Sequence, residues 1–421
     1  MSLVWPGTRR IAIDTHDLRD ITAIDRASER DPRNVGLTPD EVARIWASIA
    51  DLYRTAIYPA LTFCLRYRGQ VVLNRSIGYA QGLAPERPLA ADARLAAPDT
   101  PVCLFSASKA VIALLIHKLA EEGGIDLDAP VSRYVPAFGA QGKTSVTIAE
   151  VLAHRGGFAY FDAGATGPEI LTDWEACLKH ICAMPVARAR RWPTYHALTG
   201  GFVLGEIIRR VTGSTVQAYL DSRLRQPMNM RYFTYGLDRR SRSRAAVNHI
   251  AGQPVRWPIS HWARRALSVS FEEVVAISNR DYFMDAVIPS GNLYATAEEM
   301  SRFYQMLLDD GVYRGRRLFE PATIVRMKQP VGSMCIDRAL KIPIRYSEGL
   351  MYGMNPVGLF GPHSGPAYGH LGFMNILGWA DPSRELAAGL MTTGKTIVGE
   401  HLMQYIRTLG TINAVCRERR R

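Results

Sequence analysis

Ser106-Ala107-Ser108-Lys109 opens the run Ala110-Val111-Ile112-Ala113-Leu114-Leu115-Ile116-His117-Lys118-Leu119-Ala120, which stops at Gly123-Gly124. The run is apolar nearly all round a helical wheel. It predicts a helix from Ser106 to Glu122, buried at the centre of the molecule. Residues three apart on a helix share a face, so Ser106 and Lys109 stand about one turn apart, and an amine at that spacing can act on a serine hydroxyl. A serine at a helix N-terminus also has an unpaired N–H in the positive end of the dipole, which is half of an oxyanion hole. A lysine in an apolar stretch must find partners or lose its proton. Only seven of the 51 basic residues are lysines, which weighs against an incidental one here. The competing reading is a serine N-cap with a lysine reaching out to solvent.

Outward from this helix the chain alternates clear signals with gaps. Thr38-Pro39-Asp40-Glu41 is a capping box with proline in the first turn, leading an amphipathic helix to about Ile57. Two β-rich runs, Ala60 to Tyr67 and Val71 to Tyr79, flank Arg68-Gly69-Gln70 as a hairpin. Further helices are expected over Thr147 to His154 and Thr199 to Val211, from the Thr296-Ala297-Glu298-Glu299 capping box to about Leu308, and over Glu400 to Leu409. Met374 to Ala380 and Leu386 to Thr392 form a second hairpin around Asp381-Pro382-Ser383-Arg384. With strands at both ends and helices between, the expected fold is α+β: one antiparallel sheet built from both chain ends, flanked by helices, with a mostly helical subdomain inserted. Residues 1–36 read as an irregular arm, 37–415 as a single domain with 125–288 as its helical, substrate-side part, and 416–421 as a basic tail. The stretch 231–288, rich in Arg, Ser and Trp, has no readable pattern.

Composition narrows the function. The formal charge of +12 is dispersed, with its densest cluster at Arg417 to Arg421. No basic helix or aromatic-basic interleaving supports nucleic-acid binding, and the charge leaves room for attraction to anionic substrates or membrane surfaces. The six cysteines form no CxxC pair and no zinc spacing, so they read as reduced, mostly buried thiols. Met1 to Pro6 lacks the apolar core of an export signal, and no stretch is long enough to span a membrane; both features predict a cytoplasmic protein.

Other catalytic arrangements fail on the residues. His117 lies eleven positions beyond Ser106, about 16 Å along a helix. No Gly-x-Ser-x-Gly elbow and no His-Glu-x-x-His metal motif occurs. Ser364 and the triplet Thr393-Gly394-Lys395 are decoys, the latter in the wrong order for Lys-Thr-Gly.

The order Ser106-x-x-Lys109, Tyr195, His370-Leu371-Gly372 resembles the serine β-lactamase and penicillin-binding-protein superfamily, most closely the class C β-lactamase-like or family VIII carboxylesterases. Gly123 to Val131, Val151-Leu152-Ala153-His154-Arg155-Gly156-Gly157 and Pro289-Ser290-Gly291-Asn292-Leu293-Tyr294-Ala295-Thr296 are similar to family segments, and the likeness runs from about 45 to 410. It implies a β-lactamase/transpeptidase-like fold, with Ser106 as acyl-accepting nucleophile and Lys109 as its activator. By the same resemblance Tyr195 takes the serine proton and hands it to the leaving group. A phenol titrates at about 10, and a neighbouring ammonium favours its phenolate. His370 would orient Tyr195 or a substrate carboxylate. Gly372 would admit substrate backbone, and the Phe373 N–H would be the second oxyanion donor beside that of Ser106. Neither cofactor nor metal is implied.

One position departs from the pattern. Ala197 stands where the Tyr-x-Asn motif has its amide, which moves weight from β-lactams and peptides to esters; His196 is the neighbouring candidate replacement. The resulting expectation is a serine esterase taking a small-molecule ester of small or medium acyl chain. Acyl transfer to an alcohol, weak β-lactamase or D-amino-acid peptidase action, and a non-catalytic ligand-binding domain are the alternatives. Oligomeric state is left open.

Overall fold

The computed structural model describes residues 7–12, 14, 17–161, 167–187, 192–373 and 375–418. Eight strands make the central sheet: β1 (Thr22–Ile24), β2 (Ala60–Tyr67), β3 (Gln70–Gln81), β4 (Arg94–Leu95), β5 (Met351–Tyr352), β6 (Tyr368–Gly372), β7 (Ile376–Asp381) and β8 (Leu386–Thr392). Their order is β1-β3-β2-β8-β7-β6-β5, with β4 on β3, and every pairing is antiparallel. Both expected hairpins form. They join where β8 pairs with β2, from Leu386 opposite Tyr67 to Thr392 opposite Leu61. The sheet is therefore closed between the two ends of the chain, as the strand distribution implies.

The sheet is covered on both faces, which is why its central strands read as nearly continuous apolar runs. Leu61, Phe63 and Leu65 pack with α1 (Pro39–Arg54) and α8 (His401–Val415) in one cluster. The alternate residue Cys64 belongs to a second cluster, with Met300, Phe303 and Tyr304 of α7 (Ala297–Leu308). Between the hairpins lie α2 (Lys109–Glu121), α3 (Ile148–Leu152), α4 (Thr199–Thr212), α5 (Ile259–Leu267) and α6 (Phe271–Ser278). Capping boxes at Thr38/Glu41 and Thr296/Glu299 start α1 and α7, where the sequence signals stand, and two more start α3 and α6. No helix among the described residues is long and apolar enough to cross a membrane.

Three readings change. The stretch taken as an irregular arm contributes β1, whose Ile24 pairs with Arg75, and it buries Ile11, Leu18, Ile21 and Val35. Three residues are too short a run to show a period. The last helix continues past Leu409 to Val415, because Ile412 and Val415 stay buried against the sheet. The described part of the basic tail is tied down: Glu418 sits 3.0 Å from Arg384, and Arg417 sits 3.6 Å from Glu41. The start of the second hairpin, Met374, lies outside the described residues.

Helix α7 lies so close to the sheet that two paired glycines, Gly378 and Gly389, form its seat. A Cβ on Gly378 would stand 2.4 Å from Tyr304 Cε2 and 2.7 Å from Met300 Sδ. Gly378→Ala should therefore lower unfolding free energy by about 1–3 kcal/mol, read as a reduced urea midpoint with unchanged slope. An unchanged midpoint would contradict this packing.

Candidate active site

The two serines of the Ser-x-Ser-Lys stretch have different surroundings. Phe105 takes a left-handed backbone, φ 46°, and Phe105–Ser108 form a tight 3-10 turn, so α2 starts at Lys109 and not at Ser106. The fully buried Ser108 holds this turn: its hydroxyl donates to Phe105 O and accepts the N–H of Leu293 at 3.0 Å. Ser106 stays partly exposed, with its Oγ 3.2 Å from Lys109 Nζ.

Lys109 does not reach solvent. It is 6% exposed, and its Nζ donates to the carbonyls of Ala197 at 2.8 Å and Ser290 at 2.9 Å. Burial pushes its pKa well below the ordinary lysine value. A neutral amine has two N–H bonds and one lone pair. The two carbonyls take the N–H bonds, which leaves the lone pair for the Ser106 hydroxyl.

Tyr195 is buried beside this pair. Its phenol bonds to Ser106, and Lys109 Nζ lies 4.8 Å from its ring centre. Burial pushes the phenol pKa up and that of Lys109 down, so desolvation works against the phenolate–ammonium pairing that their mutual attraction would favour.

His370 lies on β6, buried, with its ring centre 6.2 Å from that of Tyr195. Its Nδ1 is 2.7 Å from the carbonyl of Leu371, and burial lowers its pKa to about 3. It is a neutral side chain of the site floor, not a surface histidine. Gly372 is explained by the protein's own chain: a Cβ there would fall 2.0 Å from Leu104 O, so the close approach that demands glycine is the one that seats the Ser106 turn against β6. Phe373 has φ 39° and stacks on Phe105 at 4.9 Å and on Phe271 at 4.6 Å. Among the described residues neither the Ser106 nor the Phe373 N–H donates to a backbone carbonyl. His196 turns away and stacks on Phe158 at 4.6 Å, so Lys109 is met at this position by the backbone of Ala197 and not by a replacement side chain.

Sequence reasoning missed three contributors. Ser290 gives its carbonyl to Lys109, while its hydroxyl accepts the N–H of Gly201 and donates to Leu198 O. His154 packs its ring 4.7 Å from Tyr195 and accepts the His196 N–H at Nδ1. Asp337, fully buried, accepts the N–H groups of Ala339 and Leu340, the hydroxyl of Tyr346 at 3.1 Å and the backbone N–H of Tyr195. Ser290 and His154 lie in stretches that drew notice as segments. Asp337 carries no local signal, because its partners lie far along the chain.

Beside Ser106 opens an apolar cavity of about 70 Å³, walled by Phe105, Phe161, Leu267, Val274, Ile277 and Phe283. Three of these come from α5 and α6, in the stretch that resisted reading. No cluster of three or more metal-ligating side chains occurs among the described residues.

Burial lowers His117 and His401 to about 4, His196 and His370 to about 3, and His154 well below its ordinary value. Unfolded histidine titrates at about 6.5, so below that pH the unfolded chain binds more protons than the folded one. The histidine contribution to stability should be constant above about pH 6.5 and be lost as the pH drops towards 4, and a urea midpoint independent of pH between about 6.5 and 4 would contradict it. Asp337 supports a second test. Asp337→Asn replaces one of two acceptor oxygens by an NH2 donor beside Tyr195 N–H and removes a charge that raises the Tyr195 pKa. Ester turnover should lose roughly ten- to a hundredfold in kcat with little change in KM, and the alkaline limb of its pH profile should move down. An unmoved limb would make Asp337 purely structural.

A Beta-lactamase family model matches residues 33–409. In sequence the chain is 29% identical over 304 residues to the esterase/beta-lactamase LipL of Mycobacterium tuberculosis, covering 70% of this chain and 69% of that one. It is 28% identical over 254 residues to esterase EstB of Burkholderia gladioli, covering 56% and 62%. Among solved structures, a penicillin-binding protein homologue from Caulobacter crescentus matches with a TM-score of 0.73 at 28% identity, over 90% of this chain and 99% of that one. A family VIII carboxylesterase matches in fold with a TM-score of 0.74 at 23% identity, over 89% and 98%. The matched span takes in both hairpins of the sheet, the Ser106 turn, Tyr195 and His370, and the chain belongs to the β-lactamase family.

Proposed function

We propose that this protein is a serine esterase that hydrolyses small or medium acyl esters through an acyl-enzyme on Ser106. The observation that carries the reading is the Lys109 amine, dry, fixed by two carbonyls and 3.2 Å from Ser106 Oγ, at the edge of an apolar cavity. Relatives described as esterases support ester hydrolysis within this fold.

In the proposed reaction the Ser106 proton passes to the Lys109–Tyr195 pair as Oγ bonds to the ester carbonyl carbon. The carbonyl oxygen becomes an oxyanion facing the N–H groups of Ser106 and Phe373. Collapse breaks the bond to the alcohol, which leaves with the proton from Tyr195. A water then attacks the acyl carbon, returns a proton through the same pair and frees the carboxylic acid. The acyl group occupies the cavity between α5, α6 and Phe105. No side-chain amide stands at 197 to grip the amide of a peptide or β-lactam, so the site favours esters.

Ser106→Ala should abolish turnover of p-nitrophenyl butyrate, and intact-mass spectrometry should show an acyl adduct on the wild-type protein that the variant lacks. Turnover that survives in the variant would end the proposal. Adding competing alcohols and analysing the products separates hydrolysis from acyl transfer, which share the acyl-enzyme.

A further inference from the structure

Helix α5 is unusual in this molecule: none of its residues is buried. Ile259, Trp262, Ala263, Ala266 and Leu267 nonetheless form one apolar stripe at helical spacing, with His261, Arg264 and Arg265 on the other side. Trp262 is 43% exposed and Trp257, just before the helix, is 81% exposed. From Pro254 to Ser268 there are three arginines and no acidic residue.

The surface continues beyond the helix. Arg265 lies over the ring of Tyr160 and shares a cleft of about 400 Å³ with Arg338, Lys341 and Thr194. Arg338 in turn lies over Trp192, which is 53% exposed. Among the described residues no carboxylate lines this cleft, and Arg265, Arg338 and Lys341 form no ion pair. Glu273 of α6 interacts electrostatically with Arg264 on the helix. Three of the chain's seven tryptophans are thus exposed together, among unpaired cations, on the side where Leu267 and Ser268 line the Ser106 cavity.

We infer that this face docks on an anionic lipid surface, with the exposed Trp257 and Trp262 entering the headgroup boundary while the rest of the α5 stripe stays half-buried against the protein, and with the Arg265/Arg338/Lys341 cleft holding a lipid phosphate. A strongly amphipathic helix with arginines on one side and tryptophan on the other has the composition of an interfacial helix, and tryptophan favours the headgroup level. Nucleic acid would use the cations but leave the exposed Trp257 and Trp262 in water. The docked orientation sets the Ser106 cavity beside the lipid phase, so acyl chains reach it without crossing water. The binding itself is independent of Ser106 chemistry.

The test is co-sedimentation with vesicles of phosphatidylcholine alone and of phosphatidylcholine with phosphatidylglycerol at roughly 7:3, using wild type and Ser106→Ala so that lipid turnover does not blur the result. Both proteins should pellet with the anionic vesicles only, and about 0.5 M NaCl should weaken the binding. Trp257→Ala/Trp262→Ala and, separately, Arg265→Glu/Lys341→Glu should each bind at least about tenfold more weakly while turning over soluble p-nitrophenyl butyrate normally. Equal pelleting with both vesicle types, pelleting with neither, or full binding by either double variant overturns the inference; so does binding to a DNA duplex in preference to anionic vesicles.

Discussion

The structure is organised around one unfavourable act, the burial of an amine at Lys109. Taking a lysine out of water costs several kcal/mol unless its hydrogen bonds are replaced or its proton is given up. Here both occur. Two carbonyls from segments far apart in sequence, Ala197 and Ser290, receive the N–H bonds, and burial drives the group towards the neutral form. Around this point the elements take their places: α2 supplies the lysine, the turn before it supplies Ser106, and the segments carrying Ala197 and Ser290 hold the ring closed.

The same constraint explains how position 197 tolerates alanine. A lysine that must be held can be held by any good acceptor, and a backbone carbonyl comes with every residue. The contact with the lysine at this position is carried by the main chain, at 2.8 Å. What alanine cannot replace is the outward-facing part of an amide, which would meet a substrate. Under the proposed reading, alanine here keeps the support of the lysine and gives no side chain to a substrate amide.

Much of this was legible in the sequence, for identifiable reasons. Hairpins β2/β3 and β7/β8 announce themselves because the apolar runs break at turn residues, and α1 and α7 because capping boxes are local chemistry. Ser106, Lys109, Tyr195 and His370 came out in order and meet in space, with Tyr195 bonded to Ser106 and His370 packed behind it. What could not be read is long-range. β1 is only three residues, and its place depends on β3. Asp337 reaches Tyr195 across 142 positions, a separation no local pattern encodes. Gly372 was legible as a glycine that something must approach closely, but Leu104 O as the approaching group belongs to the fold. The burial of Lys109 was legible from its apolar helix, whereas its two carbonyl partners, Ala197 and Ser290, lie far along the chain and belong to the fold.

Strain forms the counterpart to the buried amine. Phe105 and Phe373 both hold left-handed backbones, at φ 46° and 39°, a conformation that costs an aromatic residue about 1–3 kcal/mol. Relaxing either would rotate a peptide N–H beside Ser106, so the strain and the free orientation of these two donors are one feature. The rings that carry the strain also stabilise it. Phe105, Phe373 and Phe271 stack in sequence, and offset aromatic pairs contribute about 0.5–1.5 kcal/mol each beyond the area they bury. The stack roughly offsets one strained residue, and the Leu104–Gly372 contact locks the other by leaving the turn no room to retreat. Phe271 opens α6, one of the helices that wall the cavity. The backbone that leaves the Ser106 and Phe373 N–H groups free of backbone carbonyls is therefore held in place by rings that also wall or border the cavity beside Ser106.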